Sequence, residues 1–397
     1  MAEKSDTTVL KRRVFYIPGY DPFPPRRYRE IYRREGAAQA QIAGYELKMV
    51  NRQSGEGFGW SAELTEDGQT STVEVEVLEW ADIVQASMNA GVLATYGQLL
   101  VTTYRYLASG ALFRLMRLRK GPVIAALYPV VLLLIQLILA LLVARFAGAI
   151  LAISGIPCVG WLGLAAVWPV LHLFRKWDNK LFAYYLMHDY AFSARWNGAY
   201  PKQLQDRLSS FRDRIEAALD EDIEEVLVIG HSSGAYLGVS VMAGLQTGQG
   251  PKVAYLSLGQ VVPMVSFLPK ATELRRGLRI LSERNDIFWL DVSAPGDGCS
   301  FALCDPVAVS GVSTNKQRGP LVLSAAFTQT LSPERYKALR WRFFRLHFQY
   351  LCAFDNPEGY DYFQITAGAK TLEDRFADRT ASASRIEAPR SGYRSVT

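Results

Sequence analysis

One serine stands where its hydroxyl could serve as a nucleophile. Residues 225–246 read EVLVIGHSSGAYLGVSVMAGLQ. The apolar run Val226, Leu227, Val228 and Ile229 suits a strand buried on both faces. Gly230-His231-Ser232-Ser233-Gly234 follows, and small and apolar residues then recur at helical spacing. The predicted order is strand, tight turn, helix, with two glycines letting the backbone turn sharply enough to lift Ser232 above the sheet edge. A serine hydroxyl is a weak nucleophile at neutral pH and needs a base, most often a histidine oriented by a carboxylate. The chain has four histidines: His172, His188, His231 and His347. His231 adjoins the serine, but neighbouring side chains on a sharp turn diverge, so it is expected to pack or hydrogen-bond locally.

The G-H-S-S-G turn in this context resembles the nucleophile elbow of the α/β-hydrolase superfamily, over residues 14–347 with a large interruption. The resemblance implies an α/β fold with a mainly parallel sheet. It implies an oxyanion hole with one amide from the loop after an early strand, here Gly19 or Tyr20, and one from the residue after the nucleophile, Ser233. It also implies the chain order serine, acid, histidine. His347 is then the one eligible base, because the other histidines do not follow Ser232 with room for an acid between. Asp286, Asp291, Asp297 and Asp305 lie in the right interval. Asp297 ranks first because it follows the predicted strand 287–292 in the loop Ser293-Ala294-Pro295-Gly296-Asp297-Gly298, and Asp305 is the alternative acid. His347 departs from the pattern by lying beyond a predicted helix that starts near Pro333.

These residues need a scaffold, and 397 residues could hold one large interrupted domain. Residues 14–17 form a short predicted strand that ends at Pro18-Gly19, and 25–41 a basic helix. Strands are expected at 45–51, 58–64 and 72–78, extending the sheet. An amphipathic helix at 201–219 leads into the serine strand. Further strands at 252–258, 287–292 and 321–327 alternate with helical segments, which implies parallel pairing with right-handed crossovers. The core therefore divides into 1–90 and 201–369, and 370–397, polar and poor in large apolar residues, reads as a disordered tail.

The interruption, 91–200, is of a different kind. Residues 123–143 carry no charge, and 149–173 add a second uncharged stretch. Each can cross a hydrocarbon core of about 30 Å at about 1.5 Å per residue. With only Ala144-Arg145-Phe146-Ala147-Gly148 between them, a two-helix transmembrane hairpin is expected. Basic residues gather at its outer ends, Arg114, Arg117, Arg119 and Lys120 before it and Arg175, Lys176 and Lys180 after it. That bias places both flanks, and the catalytic core attached to them, in the cytoplasm. The aromatic-rich flanks 93–120 and 177–196 are expected to lie along the membrane surface.

Hydrophobic residues make up 49% of the chain and charged residues 21%, with a formal charge of +6. The basic clusters accompany apolar segments and no groove-reading motif, which points to a bilayer as partner and away from nucleic acid. The four cysteines show no C-x-x-C pair, so neither a zinc site nor a disulfide framework is expected, and no metal or cofactor is called for. MAEKSDTTVLKRR has no apolar centre and does not read as a signal peptide. The expected activity is hydrolysis of a lipid or other apolar acyl ester through an acyl-enzyme. A lipid acyltransferase of the same fold and a noncatalytic membrane scaffold are the alternatives.

Overall fold

The computed structural model describes residues 8–52, 56–248 and 250–397, so the first seven residues of the N-terminal stretch lie outside the described residues. Eight strands form one sheet: β1 (Lys11–Ile17), β2 (Glu46–Val50), β3 (Gly59–Glu66), β4 (Gln69–Val77), β5 (Glu225–His231), β6 (Lys252–Leu258), β7 (Ile287–Ser293) and β8 (Leu321–Ser324). Their order is β2-β3-β4-β1-β5-β6-β7-β8. β2, β3 and β4 form an antiparallel meander at one edge, and every pair from β4 to β8 is parallel. The fold is α/β with a mostly parallel sheet. β8 is shorter than the predicted 321–327, because Ala326 turns left-handed and Phe327 opens a short helix.

β5 is buried along its whole length. Its alternate side chains feed two cores, as a strand covered on both faces must. Leu227 and Ile229 join Val14, Tyr16, Leu256 and Leu290 on one face, under the helix Arg26–Ala43 and the C-terminal segments. Val226 and Val228 join Phe15, Tyr255 and Trp289 on the other, under the helices Lys202–Ala218, Ser233–Ala243 and Thr272–Glu283.

Two expectations are corrected. The C-terminal segment is not a disordered tail: Leu372 and Phe376 are buried in the first core, Ile386 bridges to Cys304, and Arg275 donates to the carbonyl of Ser395 at 2.7 Å. Few large apolar residues suffice here because backbone carbonyls of the tail meet buried arginines. The hairpin, too, is not two long helices. A single helix, Lys120–Ala152, runs through the expected turn with Arg145 inside it. Ala144 to Ala147 favour helix, and the reversal is delayed to 153–158, where Gly155 and Cys158 take positive φ. The returning limb is a 3₁₀ helix, Val159–Ala166, followed by the helix Val167–Lys176. It lies so close to the first limb that a Cβ on Gly163 would sit 2.3 Å from the Ala144 carbonyl oxygen.

Lys120–Ala152 is about 50 Å long at about 1.5 Å per residue. It is the one described helix long and apolar enough to cross a membrane, and only 22% of its most apolar stretch is buried. The flanks form the helices Val92–Ala108, Ala111–Leu118 and Ala183–Ala194. Their inner faces, including Tyr106, Leu115, Tyr184 and Met187, are buried, while Leu93, Leu100 and Tyr104 are exposed.

Candidate active site

Ser232 occupies the turn between β5 and the helix Ser233–Ala243, with φ 58° and ψ −119°. A non-glycine residue in such a conformation is strained and persists only where its surroundings over-determine it. Those surroundings are visible. The Ser232 N–H donates to the Leu258 carbonyl at the end of β6, 2.9 Å away. A Cβ on Gly234 would lie 2.1 Å from the Ile17 carbonyl oxygen, and one on Gly230 2.5 Å from that of Gly234. Both glycines of the G-x-S-x-G pattern are thus demanded by close backbone approach as the chain leaves the sheet edge.

Asp297 lies in the loop after β7, and His347 ends the short helix Phe343–His347. The His347 Nδ1 and the Asp297 Oδ2 are 2.7 Å apart, both side chains nearly fully buried. Asp297 Oδ1 accepts the Cys299 N–H at 2.9 Å, and Oδ2 also accepts the Tyr350 hydroxyl at 3.0 Å. Burial works against the Asp297 charge, but the adjacent His347 and these donors outweigh it and hold the carboxyl below its ordinary pKa. An ionised acid fixes the proton on Nδ1 and leaves Nε2 as the basic nitrogen. Nε2 is buried and has no hydrogen-bond partner among the described residues. Ser232 and His347 line the same cavity without a hydrogen bond between them. Gly259 sits between the two residues' anchors: a Cβ there would lie 3.1 Å from His347 Cε1, and the preceding carbonyl holds the Ser232 amide. Catalytic hydrogen bonds of this kind often tighten only around substrate.

The departure at His347 has a structural answer. The chain after β8 passes through the helix Pro333–Leu339 and returns across the ends of the strands, where Tyr350 also receives the Ala294 N–H at 2.9 Å and so braces the Asp297 loop. Asp305, the alternative acid, is corrected: its Oδ1 caps the helix Pro306–Val309 by accepting the Val307 and Ala308 amides, and Oδ2 takes the Gln317 amide.

The residues expected to form an oxyanion hole also gather here. Gly19 is so near Ser232 that a Cβ on it would lie 3.0 Å from the serine Cβ and 3.5 Å from Oγ. Tyr20 is buried, with its carbonyl accepting the Tyr185 hydroxyl. Ser233 opens its helix, where first-turn amides have no intrahelical acceptor.

His231 buttresses the site. Its ring stacks on His347 at 4.8 Å between centroids, with one nitrogen 3.3 Å from the Tyr16 hydroxyl and the other 3.0 Å from the His347 carbonyl. Burial, and then the His347 charge, lower its pKa to about 3. An unfolded histidine titrates near 6.5, so the unfolded chain binds more protons between these values, and this part of the stability is present above pH 6.5 and lost as pH falls toward 3. Melts of the wild type should therefore lose about 2 to 3 kcal/mol from this group by pH 4.5, and His231→Gln should flatten that slope. An unchanged slope in the variant would refute the assignment.

Asp297, Cys299 and His347 place three possible ligand atoms within 4.8 Å of one another. The donor set is poor for a cation, because the Asp297 oxygens are engaged and burial, then Asp297, raise the Cys299 thiol well above its ordinary pKa. His188, away from the pair, bonds Gln98 at 2.8 Å.

The cavity over Ser232 has a volume of about 970 Å³, and Tyr185, Tyr190, Phe344 and Phe348 contribute to its largely apolar wall. The expectation that 177–196 lies along a membrane surface missed Asp189, which lines the cavity, and the aromatic run 343–350 held Tyr350 unrecognised. The signals were there: one acid within YLMHDYAF, and a tyrosine three residues after the histidine. Comparison of the chain with protein-family models, curated proteins and solved structures gives no match.

Proposed function

We propose that the chain is a membrane-anchored serine hydrolase that cleaves a lipid or other apolar acyl ester. The observation that carries this reading is Ser232 in a strained positive-φ turn, sharing an apolar cavity with a buried His347–Asp297 pair. Ser232 Oγ attacks the ester carbonyl while His347 takes its proton, and Asp297 holds the imidazole and offsets its charge. The backbone amides of Ser233 and of the Gly19-Tyr20 loop stabilise the oxyanion. The proton returns through His347 to the leaving alcohol, and water then releases the acid by the reverse sequence.

The apolar outer surface of Lys120–Ala152, exposing Ile124, Val131, Ile138 and Phe146, supports an anchor in a bilayer. The basic residues on the flanks favour the cytoplasmic face for the core. Part of the cavity wall, including Tyr106, Pro122, Tyr185 and Tyr190, comes from the same insertion, so the reading puts the nucleophile where lipid esters are concentrated. Transfer of the acyl group to an alcohol differs only in the second acceptor.

A fluorophosphonate probe tests the proposal. Purified wild type should become covalently labelled, and Ser232→Ala, matched for melting behaviour, should lose labelling and at least about 10³-fold of its ester hydrolysis. An unlabelled, folded wild type would leave a noncatalytic scaffold as the better reading.

A further inference from the structure

The helix Ala183–Ala194 presents Tyr185, Leu186, Asp189, Tyr190 and Ser193 to the cavity, positions that recur at helical spacing. Asp189 stands out among them. The cavity is lined by four carboxylates and two guanidinium groups. Asp21 accepts from Phe23 N–H, Tyr28 and Arg27, Asp178 from the Tyr184 and Tyr185 amides, and Glu30 from Arg33. Asp189 alone has no hydrogen-bond or ion-pair partner among the described residues.

Five tyrosines line the same cavity: Tyr20, Tyr106, Tyr185, Tyr190 and Tyr236. In each, burial is the larger cause of a raised hydroxyl pKa and the neighbouring Asp189 charge a further one. Yet the hydroxyls of Tyr20, Tyr106 and Tyr185 are bonded to Ser87 Oγ, the Met264 carbonyl and the Tyr20 carbonyl. Those three hydroxyls already have partners other than the acid. A lone carboxyl in such a wall is costly; burial, opposed by the His347 charge, raises its pKa to about 7. An organic cation would repay that cost twice, through the carboxylate charge and through the quadrupoles of the aromatic faces.

We propose that Asp189 and the tyrosines that line its cavity form a subsite for an ammonium group on the substrate, so that the ester taken by Ser232 carries an amine or quaternary ammonium. This rests on the hydrolase reading for the ester, but the subsite itself is a matter of binding. Asp189 is a specificity-determining residue here, not a member of the proton relay.

The test uses full-length Ser232→Ala protein in detergent at pH 8, titrated calorimetrically with butyrylcholine, its uncharged carbon isostere 3,3-dimethylbutyl butyrate, and glycerol monobutyrate. Butyrylcholine should bind at least about tenfold more tightly than the isostere, and Asp189→Asn on the same background should bring the two within about twofold. Equal affinities, a preference that survives Asp189→Asn, or glycerol monobutyrate matching butyrylcholine would each overturn the proposal. The isostere comparison needs no Asp189 variant, so it decides even if that substitution unfolds the protein. No turnover is required, so a wild type unreactive toward fluorophosphonate would count against the hydrolase and leave this result standing.

Discussion

Asp297→Asn should lower kcat/KM for an ester by about 10³- to 10⁴-fold while leaving the fold intact. In the wild type, Asp297 Oδ2 faces His347 Nδ1 at 2.7 Å and Oδ1 receives the Cys299 amide. The asparagine oxygen would keep the Cys299 bond, which aims its NH₂ at His347. Nδ1 must then accept instead of donate, the ring proton moves to Nε2, and Nε2 can no longer take a proton from Ser232. The same swap sets the amide against the Tyr350 hydroxyl, which would have to turn its own proton away. Because Asp297 acts through His347, the loss should fall on kcat more than on KM, and fluorophosphonate labelling should slow by a similar factor. A variant that melts like the wild type and labels at the wild-type rate would remove Asp297 from the mechanism.

The residues of this site differ in how far the chain announced them. Ser232 was legible because the elbow is local: an apolar run, two glycines and a small-residue helix are contiguous. Asp297 was legible through its place after β7. Asp305 competed with it because sequence interval alone cannot distinguish a loop carboxylate facing a cavity from one that caps a helix. Tyr350 and Asp189 were not read, since each acquires its meaning from chain segments far away, β7 and its loop for one and Ser232 for the other. The hairpin shows the same limit at larger scale. Apolar length was plain, but the turn was assigned to a charge-bearing break, whereas a lone arginine does not end a helix and the positive-φ residues at Gly155 and Cys158 do. The tail misled because composition was used as a proxy for packing, and its anchors are backbone groups meeting buried arginines.

Those anchors carry the second large effect. Arg12 and Glu225 face each other in register at the start of β1 and β5, each side chain 1% exposed, with Arg12 Nε 2.5 Å from Glu225 Oε2. Arg12 donates onward to the carbonyls of Gly368 and Lys370, and Glu225 Oε1 accepts the Leu372 amide at 2.7 Å. The pair thereby ties the C-terminal segment to the same strand that leads into Ser232. Desolvating two charges gains little net stability by itself, but removing one partner strands the other in the core. Glu225→Ala should therefore cost about 3–5 kcal/mol in denaturant unfolding, and Glu225→Gln somewhat less, because the amide oxygen can still receive Leu372. The double variant Arg12→Met/Glu225→Leu should recover part of the loss by removing the orphaned charge. Hydrogen exchange in residues 368–376 should quicken in the single variants first, while labelling of Ser232 per folded molecule stays unchanged, because the pair lies at the opposite end of β5, about 20 Å away at about 3.3 Å per residue. A Glu225→Ala protein within about 1 kcal/mol of wild type, with 368–376 still protected, would mean that the segment is held by its buried Leu372 and Phe376 alone.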